Sequence, residues 1–599
     1  MAWMMVRHYF AKSTILSTVS PIVFLLLFAA FFPGYLPIGH FSITGDSLVT
    51  AAQFKNVIQG AIFGSDQMGW PIGMYAPQFP FADFLSLSVA KLVSIFTSDP
   101  VRLYLLMIHI ALFFNTISAY WCLRSFGCSR IVSLICSTVF GASFFFLVRS
   151  TVHLFFAMYL AIPLSAALVG FILGRFKMAL PTIALCGFAV ALSHVYYAVA
   201  AVGLTMFAFV ISMMTDKSVL SYRKLFAVAA VVVPSGVANC LLYWIVYANG
   251  LHLPVRSPGE QPALALRFVD AFVPTIKITT GIFNSYYTGV RPLGEGYEYI
   301  GYLATVGLLI SLVSLMRRVS PMPLRSTSAL DDGFLPFFAV CTLILVVICL
   351  PFGAGLLINL IGPFIRAQNR FSIFLTFWGI LCFAIFFTNL PRGWPKLIFF
   401  VLLAALTAKE LSERVNLLSR DHCPGVCVSS RPCSCYDEVK RTLEPVLSAM
   451  KTSGTTTILQ LPFQKYPEGG PLGQRQDYFG FFPYIAVENN SPFRFSYGLT
   501  DDDLLGKYLA ASEDSLRSGD NVGKTLNQLA CVGYQGILID KVAYSDSDLD
   551  AVERSLGNLH REISTDTYSL YAVPNPSTAP LSDIRSERII KSVSCFKGD

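Results

Sequence analysis

Apolar residues run in stretches of about twenty along the first two-thirds of the chain, each closed by a polar or charged cluster. The last third instead alternates short apolar runs with charge and turn residues. About 20 apolar residues carry an α-helix across a bilayer, and that length predicts roughly eleven spans. They lie near 17–37, 103–122, 131–148, 154–173, 179–195, 198–215, 225–246, 298–316, 334–353, 371–390 and 396–411. The stretch 179–215 is too long for one span, and Ser193-His194 near its middle predicts a tight turn between two helices.

Lys and Arg near helix ends are retained on the cytoplasmic side, which orients the spans. Arg7 and Lys12, Arg124 and Arg130, Arg175 and Lys177, Lys217 with Arg223 and Lys224, Arg317 and Arg318, and Arg392 with Lys396 fall on alternate loops. A cytoplasmic N-terminus satisfies all of them and puts 38–102, 247–297, 354–370 and the C-terminal region outside. The apolar run after Lys12 is longer than a signal-peptide core, and Phe32-Pro33-Gly34-Tyr35 has no small-residue cleavage pattern, so it is expected as a retained first span.

Composition agrees with the pattern. The 599 residues are 54% hydrophobic and 13% charged, with a mean hydropathy of +0.60. Soluble domains carry about 25% charged residues, so a polytopic α-helical membrane protein is expected. The net charge of +8 sits in loop clusters rather than along one basic face, which argues against a nucleic-acid partner and for a lipid bilayer.

The expected division is a transmembrane domain over 1–411 and an extracytoplasmic, periplasmic α/β domain over 412–599. In the latter, 456–461 and 536–540 read as buried strands, and Asp501 to Leu516 and Ser547 to Leu559 as helices. Six of the 14 cysteines lie there: Cys423, Cys427, Cys433, Cys435, Cys531 and Cys595. With His422 beside them a zinc knuckle is one reading, but an exported domain more often forms disulfides, whose pairing spacing does not reveal.

The candidate chemistry is a set of ionisable groups at the outer membrane boundary, where such groups are costly. Asp46, in Thr44-Gly45-Asp46-Ser47, is the candidate catalytic base; a helix cap is the competing reading. Arg149, His153 and Arg370 are candidates for a donor phosphate, although Arg at a membrane edge also snorkels. Trp70, Tyr75, Asp83, His194 and Glu298 are candidate substrate contacts: Trp70 and Tyr75 as stacking faces for a sugar, Asp83 as a second carboxylate. An interfacial aromatic belt is the competing reading for the aromatics.

The motifs Gly45-Asp46, Tyr75-Ala76-Pro77-Gln78-Phe79-Pro80, Arg149 with His153, Glu298-Tyr299-Ile300-Gly301 and Asn369-Arg370-Phe371 together resemble bacterial membrane glycosyltransferases of the GT-C superfamily type. Leu459-Gln460-Leu461-Pro462-Phe463, Phe495-Ser496-Tyr497-Gly498 and Gly536-Ile537-Leu538-Ile539-Asp540 resemble the external domain of members of that group. The resemblance implies many transmembrane helices, an acid in the first external loop, and action on isoprenoid-phosphate-linked sugars at the outer face of the inner membrane. It implies that Asp46 is the general base. The expected reaction is an inverting transfer from a polyprenyl-phosphate-sugar donor to a glycan of the cell envelope, such as the O-antigen of lipopolysaccharide. The superfamily's paired adjacent acids are absent, since Gly45 and Ser47 flank Asp46. No cofactor is required on this reading, and a divalent metal stays open as an addition. The rival readings are a flippase or exporter of lipid-linked glycans and a non-catalytic assembly protein; the absence of an internal repeat counts against transport.

Overall fold

The computed structural model describes residues 45–61, 64–75, 83–215, 222–248, 265–266, 271–272, 299–319, 333–350, 353–355 and 367–391, then isolated positions between 393 and 409. In the C-terminal part it describes 436–464, 466, 472–473, 475, 478–499, 504–574 and 594–596. Among these, seven helical stretches are long and apolar enough to cross a membrane: Pro100–Ser125, Arg130–Ser150, Leu154–Ile172, Val195–Thr215, Tyr222–Leu241, Tyr302–Val319 and Gln368–Asn389. Leu180–Ala191 and Phe334–Cys349 are shorter apolar helices at two further expected spans. The expected span at 17–37 lies outside the described residues, and 396–411 is described only in fragments.

The first loop carries α1 (Asp46–Gln59), the short strands β1 (Gly64–Ser65) and β2 (Met74–Tyr75), which pair antiparallel, and α2 (Phe84–Val93). The helix α3 (Pro100–Ser125) starts at Asp99, whose carboxylate accepts from the Val101 and Arg102 amides, with Pro100 in the first turn where no amide is needed. Next come α4 (Arg130–Gly141), α5 (Phe144–Val152), α6 (Leu154–Ala157) and α7 (Ala161–Ile172).

The path from α5 to α7 is broken twice, at His153 and at Met158–Leu160. A break among membrane helices is tolerated where protein satisfies the freed backbone. Here the buried Asn115 of α3 donates to the Ala157 carbonyl (2.7 Å) and accepts from the Tyr159 amide (2.9 Å), and Tyr197 donates to the Phe156 carbonyl (2.6 Å). The expected turn at Ser193-His194 separates α8 (Leu180–Ala191) from α9 (Val195–Thr215), and the Leu192 carbonyl there accepts from the Leu85 amide of α2.

Beyond these lie α10 (Tyr222–Ala248), α11 (Tyr302–Val319), α12 (Phe334–Cys349), a 3-10 turn at Gln368–Phe371 and α13 (Ser372–Asn389). Large apolar side chains such as Leu185, Met214, Val233 and Val347 point outward, as expected of helices that meet lipid.

The C-terminal part contains α14 (Tyr436–Ser453), β3 (Thr457–Leu461), α15 (Phe481–Ala486), β4 (Arg494–Phe495), α16 (Leu504–Ser518), α17 (Val522–Val532), β5 (Gly536–Asp540), α18 (Asp546–Ser555), β6 (Arg561–Ser564) and β7 (Tyr568–Ala572). The sheet order is β4-β3-β5-β7-β6, with β3 parallel to β4 and β5, and β7 antiparallel to β5 and β6. Both expected strands and both expected helices are present. Cys531 and Cys595 form a disulfide; Cys423, Cys427, Cys433 and Cys435 lie outside the described residues.

The two parts are joined through the first loop. The Phe495 amide donates to the Gln67 carbonyl (2.8 Å), the Trp70 amide to the Phe495 carbonyl (2.9 Å) and the Gly69 amide to the Tyr497 carbonyl (2.7 Å). The segment 67–70 therefore covers the open edge of β4 as an added strand would.

Candidate functional site

Asp46 opens α1 directly after Gly45, whose φ of 55° and ψ of −131° belong to a region that L residues rarely adopt. No atom lies within 4 Å of where a Gly45 Cβ would stand, so the demand for glycine is conformational rather than steric. An acid at position 45 would have to hold that strained conformation. The side chain of Asp46 is not the helix cap; it contacts His153, its Oδ2 against the imidazole Nε2.

His153 occupies the break between α5 and α6, and its Nδ1 lies 3.0 Å from Nη1 of Arg149 on the last turn of α5. A guanidinium only donates, so Nδ1 is the acceptor, and the ring carries its proton on Nε2, facing the carboxylate. The order is thus Arg149 to His153 to Asp46. Arg149 is 1% exposed, while the side chains of His153 and Asp46 are 16% and 29% exposed, so the chain of contacts runs from the interior to an open end at the acid.

Arg370 joins the same cluster from the far end of the sequence. It sits in the 3-10 turn before α13, a turn tied to α9 where the Ala367 amide donates to the Tyr196 hydroxyl (3.1 Å). Its guanidinium lies 4.1 Å from the centroid of the Phe156 ring and 5.4 Å from that of Tyr196; Arg149 lies 5.9 Å from the same Phe156 ring. His194 packs on Phe156 as well, at 4.0 Å between centroids. Asp46, His153, Arg149, Arg370 and His194 therefore form one contiguous cluster around Phe156. Phe156 and Tyr196 are the members that sequence reasoning missed, because an aromatic in a membrane helix is ordinarily lipid-facing or core.

An apolar groove of about 350 Å³ adjoins this cluster, lined by Leu204 and Phe207 of α9, Ile344 and Ile348 of α12, and Phe374 and Trp378 of α13. Gln368 and Phe371, close to Arg370, line it too, and half-exposed Val199 and Ile344 open it to the outer surface of the helices.

The remaining expected contacts fall elsewhere. Trp70 is a correction: it is 6% exposed, packs in the core of the C-terminal sheet domain, and its ring is covered by the Arg494 guanidinium at 4.8 Å, so it offers no face to a sugar. Its carbonyl accepts from the Tyr534 hydroxyl (2.7 Å). Asp83 is also corrected. It is 1% exposed and caps α2, accepting from the Ser86 amide (2.8 Å) and hydroxyl (2.6 Å), and burial pushes its carboxyl up to about 7. Tyr75 pairs through its backbone with Gly64 in the small hairpin. Glu298 lies outside the described residues. Among the described residues no three His, Cys, Asp or Glu side chains gather as metal ligands.

No protein-family profile matches the chain, and no curated protein is similar to it in sequence. Among solved structures, 93% of the chain superposes on the arabinofuranosyltransferase AftD from Mycobacteria with a TM-score of 0.54 at 13% identity. The chain shares the fold of that arabinofuranosyltransferase. The chain spans only 40% of the AftD chain. The oligosaccharyltransferase of Archaeoglobus fulgidus is more distant: its apo form aligns over 89% of this chain and 72% of its own, with a TM-score of 0.44 at 12% identity. The fold assignment rests on AftD, and within that fold the charged cluster lies at the end of the first-loop helix.

Proposed function

We propose that this protein is an inverting membrane glycosyltransferase that moves a sugar from a polyprenyl-phosphate donor to a glycan of the cell envelope, O-antigen being one acceptor class. One observation carries the reading: an acid held by His153 stands in the same cluster as two guanidiniums, beside an apolar groove that opens to lipid. With His153 neutral the cluster carries two positive charges against one negative, which suits a phosphate ester that develops charge as it leaves.

In this mechanism the isoprenoid tail lies in the groove and the donor phosphate near Arg149 and Arg370. Asp46 takes the proton of the acceptor hydroxyl, whose oxygen attacks the anomeric carbon. The bond from that carbon to the phosphate oxygen breaks, and the polyprenyl phosphate departs with its negative charge countered by the arginines. His153 orients the carboxylate through its Nε2–H. The C-terminal domain, on the same side as Asp46, is periplasmic in this reading and presents the acceptor.

The test is mass spectrometry of envelope glycans from cells carrying the wild type, a deletion or Asp46→Asn at matched expression. The expected result is loss of the same sugar in the deletion and in Asp46→Asn, with product reduced by roughly 10²-fold or more. Wild-type glycan in Asp46→Asn cells would refute the assignment, and loss of whole chains only in the deletion would favour export or assembly.

A further inference from the structure

Lys55 is a lysine with no exposed surface at all, on the helix that begins with Asp46. Burying an ammonium is costly unless its donors are satisfied. Its partners are two backbone carbonyls 429 and 432 residues away, those of Tyr484 (2.5 Å) and Val487 (2.6 Å) at the end of α15, and its Nζ also sits 4.6 Å from the centre of the Tyr484 ring. The Tyr484 hydroxyl in turn meets the side-chain oxygens of Asn56, next to Lys55, and of Gln59, one turn further along α1. Gln59 donates to Gln67 (2.8 Å), which reaches the Ser491 carbonyl of the C-terminal domain.

The adjoining residue, Phe54, packs on Tyr104 of α3 (5.9 Å) and on Phe155 (6.0 Å), two residues after His153. Thus α1 is gripped on one side by the membrane helices that hold His153 and on the other by the C-terminal domain. At 1.5 Å per residue, Lys55 stands about 14 Å along the helix from Asp46. A rigid helix of that length passes a shift at one end to the other.

We propose that Lys55 is a positioning residue: it locks α1 to the C-terminal domain, so that the seating of that domain sets the contact between Asp46 and His153. This rests on the reading of Asp46 as the reacting carboxylate. Apolar packing alone would hold the two parts together. An ammonium on two carbonyls specifies one register, and register is what a carboxylate aimed at an acceptor hydroxyl needs.

The experiment uses the full chain, with glycan output in cells and hydrogen–deuterium exchange on the protein in lipid nanodiscs. The variants are Lys55→Met, Lys55→Arg, Tyr484→Phe and Asp46→Asn. For Lys55→Met the expected outcome is roughly tenfold less glycan product. Amides of residues 48–54 should exchange roughly tenfold faster while β3 and β5 keep their protection. Lys55→Arg, which retains a cation and N–H donors, should recover part of both.

Wild-type product and exchange in Lys55→Met would overturn the proposal. So would loss of β3 and β5 protection, since Lys55 would then serve only the folding of the domain. If Lys55→Met does not reach the membrane, Tyr484→Phe takes its place: faster exchange over α1 with less product supports the proposal, and no change in either overturns it. Full product in Asp46→Asn would remove the functional reading, and faster α1 exchange would then show an anchor with nothing to position.

Discussion

At the scale of single residues, two acids of the first loop, Asp46 and Asp83, do different jobs. Asp46 faces His153 at a partly open end, whereas Asp83 is sealed beneath a helix start, where burial raises its carboxyl to about 7 from an ordinary value near 3.8. A folded-state value above the unfolded one means that the stabilising contribution is complete below pH 3.8 and is lost as pH rises through about 7. Three pH units correspond to at most about 4 kcal/mol. Asp83→Asn keeps an acceptor for the Ser86 amide and carries no charge, so it should flatten this dependence. Thermal melting in detergent at pH 5 and pH 8 checks it: the wild type should lose more stability between the two than the variant, and parallel curves would refute the burial argument.

At the scale of elements, the membrane helices are set by close approach as much as by greasiness. A Cβ on Gly307 of α11 would stand 1.8 Å from the Gly379 carbonyl oxygen of α13, and one on Gly379 would stand 2.2 Å from that of Ala304. Small residues at such crossings let membrane helices pack backbone to backbone. Gly307→Ala should therefore lower the melting temperature by several degrees, a cost of about 1–3 kcal/mol. Gly236→Ala, on α10 with open space around it, should not. Equal melting of the two variants would remove this crossing from the account. Nine of the eleven expected spans coincide with apolar helices among the described residues, because a twenty-residue apolar run has few other readings. The strands β3 and β5 were legible from their clustered Ile and Leu, but β4 has two residues and β6 is largely polar, so neither leaves a periodic trace.

The candidate site followed the same division. Asp46, Arg149, His153 and Arg370 were legible because an ionisable group at a membrane edge is costly, and their meeting around Phe156 joins elements more than two hundred residues apart. Trp70 and Lys55 were not legible. A tryptophan near a bilayer and a lysine on a loop helix both have ordinary interfacial readings, and only partners over four hundred residues away reveal that one is a docking wedge and the other a buried lock.

At the scale of the whole molecule, the join between the two parts constrains sidedness. The C-terminal sheet pairs with 67–70 and grips α1, so it lies in the same compartment as Asp46 whichever compartment that is. In the orientation proposed above, Arg175 and Lys177, exposed after α7, lie on a cytoplasmic loop. Lys524, exposed on α17, then belongs outside. In intact cells treated with a membrane-impermeant maleimide, Lys524→Cys should be labelled above the wild-type background and Lys177→Cys only after lysis. Labelling of Lys177→Cys alone would invert the molecule and put Asp46 in the cytoplasm, where the proposed outer-face transfer could not occur. Labelling of both in intact cells would mean that an odd number of the expected spans between them does not cross, and would require the span list, rather than the site, to be redrawn.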